Sequence, residues 1–292
     1  MRRKWKIGLF LAGAAAVATA VWLRPSREPV YEGKRLSEWL DVWMRFPGGS
    51  LDTNGSFGHV TRAIQAIGTN AIPFLLRDME RKELRWLERA KDRAYNLKVM
   101  DETHLRRWRL SRSASGFQVL GTNAAPALER LLVLFDAEGD ASDSAVWAVV
   151  ALGPIAVPDL VKRLRATNCV TRERAAFTLR YIGGPAAESA IPSLVAMLDD
   201  TNTLARQNAV RALTYIDRQP ERLVPLFRSL LGDSNGVIRM HSAYGLLSFG
   251  PSAKEAVPDL LRAANDSDPD VSNAVRQALN QIDPSALNAL SR

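Results

Sequence analysis

The sequence has one cysteine, Cys169, in 292 residues. A single thiol excludes an intramolecular disulfide framework and a zinc site built on cysteines, and it suits either redox compartment. Free cysteine behaves as a small apolar residue, and Cys169 reads as one, placed in a turn between helices. Histidine is nearly as scarce. His59, His104 and His241 stand alone, none in H-E-x-x-H or another metal-ligand spacing. No P-loop, no G-x-S-x-G and no dinucleotide-binding glycine motif occurs. Asp199, Asp200 and the acidic run 266–270 lack the glycine and terminal glutamate of a calcium loop. They read as helix caps and partners for hydrogen bonds between neighbouring helices. The alternating patterns that mark strands are nearly absent.

What the chain has instead is a repeat. A proline two or three residues into an apolar helix start recurs at Pro73, Pro126, Pro158, Pro192, Pro225 and Pro258, at intervals of 53, 32, 34, 33 and 33 residues. Residues 153–184 are the most regular unit. Ala156, Val157, Leu160, Val161 and Leu164 form the apolar face of one helix, and Val170, Ala175, Ala176, Leu179 and Ile182 that of a second. Pro158 sits in a first turn, where a missing N–H costs nothing. Gly183 and Gly184 can end a helix in the left-handed conformation. The second helices end alike, at Gly68, Gly121, Gly153, Gly183, Asp217, Gly250 and Asp283. Fourteen residues after each later proline come Arg172, Arg206, Arg239 and finally Ser272. Asp200, Asp233 and Asp266 stand six residues before the last three, so an aspartate near a turn can face an arginine early in a helix, within or between repeats. Two short helices cannot bury their own apolar faces, and a stack of like units solves that.

The A-x-P-x-L starts, the Asp/Arg pairs and the Ile/Leu-Gly ends resemble the HEAT repeat family, in the short bacterial form related to the repeats of phycobilisome lyases. The resemblance covers residues 57–283. The segment YEGKRLSEWL at 31–40 is similar to the opening of such arrays in some environmental bacteria. Membership implies an all-α, right-handed superhelical solenoid, here of about six to seven antiparallel helix pairs, with a binding role and no single activity. HEAT-like iron hydroxylases use repeated His-Glu pairs, and no histidine here is followed by glutamate.

One apolar helix is expected ahead of the solenoid. Residues 1–6 are basic, and 7–23 carry no charge. Seventeen residues at about 1.5 Å rise span about 25 Å, the short end for a bilayer. A cleaved signal would use Ala18 and Ala20. An uncleaved anchor would keep Trp5 and Trp22 at the two interfaces, and that reading is favoured because the apolar run continues past the cleavage position. Either way the expected location of the repeats is beyond a bacterial inner membrane, anchored by a single pass or released after cleavage. Residues 24–35 read as a linker, and 36–56 as a capping helix and loop with Leu36, Trp39, Leu40, Trp43 and Met44 on one face. The solenoid then occupies 57–283, and 284–292 form a closing cap.

The 53-residue interval implies an elongated helix pair at 71–120, in which Trp86 and Leu87 could meet Leu105, Trp108 and Leu110. Lys/Arg less Asp/Glu gives +5 for residues 1–50, +5 for 51–120 and −2 for 121–292. The high basicity therefore belongs to the anchor and this pair, which could touch anionic lipid or simply be a solvated helix face. Net-acidic later repeats argue against nucleic acid as a partner.

In the resembled family the second helix lines the concave side. Aligning the second helices on their ends gives two columns pointing away from the core: Arg62, Ser115, Trp147, Phe177, Arg211, Tyr244, Gln277, and Ala66, Val119, Ala151, Tyr181, Tyr215, Ser248, Gln281. Trp147, Phe177, Tyr181, Tyr215 and Tyr244 with Arg211 form a candidate partner-binding stripe, since aromatics and arginine dominate interaction hot spots. The competing reading has these rings lean sideways and pack between repeats. The sequence thus points to a non-catalytic scaffold for a protein or peptide, with no cofactor or metal. The alternatives are a HEAT-like lyase or hydroxylase and a structural spacer.

Overall fold

A computed structural model describes residues 28–45, 56–81, 102–216 and 219–289. The apolar segment 7–23, Asp217, and the 82–101 part of the elongated pair with Trp86 and Leu87 lie outside the described residues. The first element differs from the expected linker. Val30–Tyr31 (β1) pairs antiparallel with Lys34–Arg35 (β2). Glu32 and Gly33 between them both have positive φ, 47° and 73°, the twist that a two-residue hairpin turn requires.

Everything else described is helix or turn. The helices are α1 (Leu36–Arg45), α2 (Ser56–Ile67), α3 (Ile72–Glu80), α4 (Glu102–Leu120), α5 (Leu128–Phe135), α6 (Asp140–Leu152), α7 (Val157–Arg163) and α8 (Cys169–Ile182). They continue as α9 (Ile191–Ala196), α10 (Thr203–Ile216), α11 (Pro220–Leu230), α12 (Gly236–Phe249), α13 (Val257–Ala263), α14 (Pro269–Ile282) and α15 (Pro284–Ala289). Consecutive helices from α1 to α14 pack as pairs, and the pairs stack into an α-solenoid. In α1, Leu36, Trp39 and Leu40 are buried against α2, and the Trp39 ring N–H donates to the Tyr31 carbonyl at 3.2 Å. Arg112 of α4 reaches both Asp41 of α1 and Asp78 of α3, at 3.4 and 3.0 Å.

Among the described residues the helices end at the glycines that the sequence marks, Gly68, Gly121, Gly153, Gly183 and Gly250, all at positive φ. Gly153 at φ 62° ends α6, a 3₁₀ turn follows, and Pro158 lies in the first turn of α7. The run Asp140–Arg163 is long and apolar enough to cross a membrane by composition. Gly153 breaks it into a helix pair, and its Ala145, Val149, Leu152, Val157 and Leu160 are core residues. Cys169 is the first residue of α8 and is half-buried. The chain's last turn uses Asp283 in place of glycine. Its carboxylate accepts the backbone N–H of Ser285 and of Ala286 at 3.1 and 3.3 Å.

Second helices α6, α8, α10, α12 and α14 lie directly against one another, whereas first helices meet their neighbours largely through the 3₁₀ turns. Buried alanines permit this: Ala145, Ala148, Ala175, Ala176, Ala205, Ala209, Ala212, Ala243, Ala274 and Ala278 have no exposed surface.

Polar side chains tie the units together at the turns. Asp200 accepts the backbone N–H of Asn202 at 2.8 Å, and Asn202 caps α10 through the N–H of Ala205. The same two-residue device recurs at Asp233 with Asn235 and at Asp266 with Asp268. Arg172 grips the Asp200 carboxylate with two N–H groups, at 2.6 and 2.8 Å, and donates back to the carbonyls of Ala166 and Thr167. Arg239 does the same to Asp266, at 2.7 and 2.8 Å. These pairs run from one repeat to the next. The middle arginine differs: Arg206 donates to the Asp200 carbonyl and to the Thr203 hydroxyl. Arg172 holds the Asp200 carboxyl below the usual carboxylate range, and Arg239 does so for Asp266. Their contribution is therefore complete above the ordinary aspartate value of 3.8 and is lost as the pH falls below it.

Two stability outcomes follow. Arg239→Ala should cost about 2–3 kcal/mol at pH 7 by urea denaturation, because it strands the largely buried Asp266 carboxylate. Gly245→Ala should destabilise despite alanine's better helix propensity, since an added Cβ would sit 2.5 Å from the buried Phe227 ring. An unchanged or higher melting temperature for the alanine variant would contradict that packing.

Candidate functional site

The candidate residues occupy the outward faces of consecutive second helices. Trp147 lies on α6, Phe177 and Tyr181 on α8, Arg211 and Tyr215 on α10, and Tyr244 on α12. Trp147, Tyr181 and Tyr215 are 38%, 45% and 53% exposed, high for rings of this size on a helix row whose opposite side is core. Phe177 and Tyr244 are half-buried and lean on the core.

Both sequence readings describe part of the arrangement. The rings do lean on one another across repeats. Trp147 meets Phe177 edge-on at 5.8 Å between centroids and Tyr181 edge-on at 4.9 Å, and Phe177 and Tyr181 are 4.7 Å apart. Edge-to-face contact fixes the rings without covering their outer faces. Tyr215 does not join this cluster directly. Arg180, which precedes Tyr181, links them: its guanidinium lies 5.2 Å from the Tyr181 ring centre and 5.0 Å from that of Tyr215. Such cation–π contacts hold a charged head beside an aromatic face.

Arg211 is placed differently from the rings. Its Nε–H donates to Nε2 of His241 at 2.9 Å, and the His241 ring lies 6.1 Å from Tyr244. Burial, then the charges of Arg211 and Arg180, pull His241 down to about 4, so the ring is neutral near pH 7. A neutral ring accepting at Nε2 carries its proton on Nδ1. Burial, then Arg180, also lowers Arg211 from its ordinary value.

Two shallow grooves meet at Trp147. One, of about 540 Å³, runs between α4 and α6 and is lined by Arg107, Ser111, Gln118, Asp143 and Trp147. The other, of about 290 Å³, continues over α8 and is lined by Asp143, Trp147, Glu173, Arg174, Phe177 and Asn208. The Glu173 carboxyl is raised by burial, and Arg174 is committed to the carbonyls of Phe135 and Ala137. Among the described residues no group of three His, Cys, Asp or Glu is placed to hold a metal ion. The chemistry on offer is apolar contact, cation–π contact and hydrogen bonding to an extended ligand.

Sequence reasoning missed Arg180, His241, Asp143 and Glu173. The same alignment, moved one position earlier in each helix, places Arg180 in a column with Gln118, Val150, Thr214, Leu247 and Asn280, where it is the single charge. No sequence signal pairs His241 with Arg211, because they lie on different repeats.

Trp147→Ala should lower stability by about 1–2 kcal/mol in chemical denaturation, the value of two edge-to-face contacts and a partly covered ring. Phe117→Ala, at a fully buried ring, should cost about 3–5 kcal/mol. Equal losses would mean that Trp147 is a core residue. As pH falls from 6.5 toward 4, the unfolded chain takes up a proton at position 241 that the folded chain refuses, so stability declines over that window. His241→Gln, which keeps an acceptor for Arg211, should flatten that decline in thermal melts at pH 7 and 4.5.

Residues 157–247 match the model of the family described as HEAT repeats. No curated protein matches the chain significantly. Among solved structures, an engineered protein 18% identical covers 88% of this chain and 71% of its own, with a TM-score of 0.49. The complex of CpcE and CpcF of phycocyanin lyase from Nostoc is 22% identical over 53% of this chain and 97% of its own, with a TM-score of 0.44. A designed armadillo repeat protein in complex with the peptide (KR)4 is 17% identical over 73% and 99%, with a TM-score of 0.47. Residues 157–247 are thus assigned to the HEAT repeats by that match, and helix pairs continue on both sides of them.

Proposed function

We propose that this protein is a non-catalytic scaffold that binds a protein or peptide partner along its second-helix face, through Trp147, Phe177, Tyr181, Arg211, Tyr215 and Tyr244. One observation carries the reading. Three large aromatic side chains on consecutive second helices keep 38–53% of their surface exposed, while each helix's opposite face is buried. Exposed aromatics in a continuous row, beside grooves, are the usual composition of a binding surface. Prior contact between the rings makes them rigid, so a partner would lose little freedom in meeting them.

The proposal includes the location. The apolar run 7–23 would hold the repeats at the far face of a bacterial inner membrane, or export them after cleavage. Protease added to intact spheroplasts should then digest the repeats and spare the basic N-terminus.

Cross-linking in native membranes tests the binding surface. A specific partner should cross-link to the wild-type chain and be lost, by at least about tenfold in yield, from a Trp147→Ala/Tyr181→Ala variant whose helical content is unchanged. An identical cross-linking pattern from that variant would remove this face from consideration. Stoichiometric iron in the purified protein would instead favour the hydroxylase alternative.

A further inference from the structure

We propose that Arg180 and Arg211 form an anchor for the carboxylate side chains of an acidic peptide segment of another protein, laid across α6 to α12. This rests on the binding-face reading above and names the chemistry of its partner. The observation behind it is a pair of cations without a counter-charge. Six arginines that cross between elements close on carboxylates: Arg112 on Asp78, Arg130 on Glu80, Arg163 on Asp136, Arg172 on Asp200, Arg228 on Asp259 and Arg239 on Asp266. Arg165 reaches the Ser193 hydroxyl and Arg276 the Ala264 carbonyl, each at 3.4 Å. Arg174 closes on two backbone carbonyls. Among the described residues no carboxylate reaches Arg180 or Arg211. Arg180 rests between two tyrosine rings, and Arg211 gives its Nε–H to neutral His241.

That bond to His241 leaves the two terminal nitrogens of Arg211 as a fork, the geometry that grips a carboxylate with two parallel hydrogen bonds. The two guanidinium groups are close enough for each charge to be felt at His241 and for Arg180 to disfavour the charge on Arg211. An arriving anion relieves that repulsion.

The surroundings select among anions. Asp143 and Glu173 lie on the same helix row, nearer the helix starts, and would repel a continuously charged strand such as a nucleic acid. A peptide can place acidic residues at the arginines and apolar ones against Trp147 and Tyr181. From α6 to α12 is three helix-to-helix steps, about 30 Å at usual packing distances, which about nine extended residues would span.

The test uses the full chain in detergent or nanodiscs and fluorescein-labelled peptides of about twelve residues alternating leucine with glutamate, glutamine or lysine, read by anisotropy. The glutamate peptide should bind at least about tenfold more tightly than the glutamine one, and added salt should narrow that gap. Arg180→Gln/Arg211→Gln should abolish the preference while leaving the helical content intact. Should the double variant unfold, Arg180→Gln alone, which touches only two rings, must still reduce the preference by at least about threefold. Equal binding of glutamate and glutamine peptides, both lost in Trp147→Ala, would overturn the acidic assignment and leave the binding face standing. Failure of all three peptides to bind would overturn it as well. So would binding of a phosphoserine version alone, which would assign the arginines to phosphate.

Discussion

The structure depends on the contact between one helix pair and the next. A pair such as α7 and α8 buries one apolar face within itself and leaves a second one open, so it is stable only beside a like neighbour. Two features set how closely neighbours approach. Buried alanines on the second helices let those helices touch, and Gly245 lets α12 close on Phe227 of its own partner α11. Bidentate pairs, Arg172 with Asp200 and Arg239 with Asp266, fix the angle at which the turns meet. Each of those aspartates also holds the turn that begins the next second helix. A single carboxylate therefore joins local capping to long-range stacking.

The candidate surface is a by-product of that stacking. Helices brought close by small core residues bring their outward columns close as well. Trp147, Phe177 and Tyr181 come within edge-to-face distance across two repeats only because α6 and α8 are neighbours in the tight layer. The rings support one another sideways and keep their outer faces free. Packing between repeats and presentation to a ligand are thus compatible in the same side chains. The charged groups divide by layer. Arg172 and Arg239 at the turns are satisfied by aspartates of the fold, whereas Arg180 and Arg211 on the ring row are held by tyrosines and a neutral histidine.

The sequence by itself determined the repeat, its period and its turns. The recurring proline, the terminal glycine or aspartate and the apolar spacing are local signals, and a helix start or stop is decided within about one turn of chain. It also placed Leu36, Trp39 and Leu40 on the apolar face of one helix, as α1 has them, and put the stripe residues on the outward columns. It missed the β1–β2 hairpin, because Glu32 at positive φ is not a residue type that announces a tight turn. Tertiary structure alone decided which repeat each Asp–Arg pair joins, since spacing allowed both choices and only the stacked geometry brings Arg172 to Asp200. It alone paired Arg211 with His241, 30 residues apart, and set Arg180 between two rings from different helices. Those are contacts between columns of separate units, and their distance depends on how small the buried side chains beneath them are.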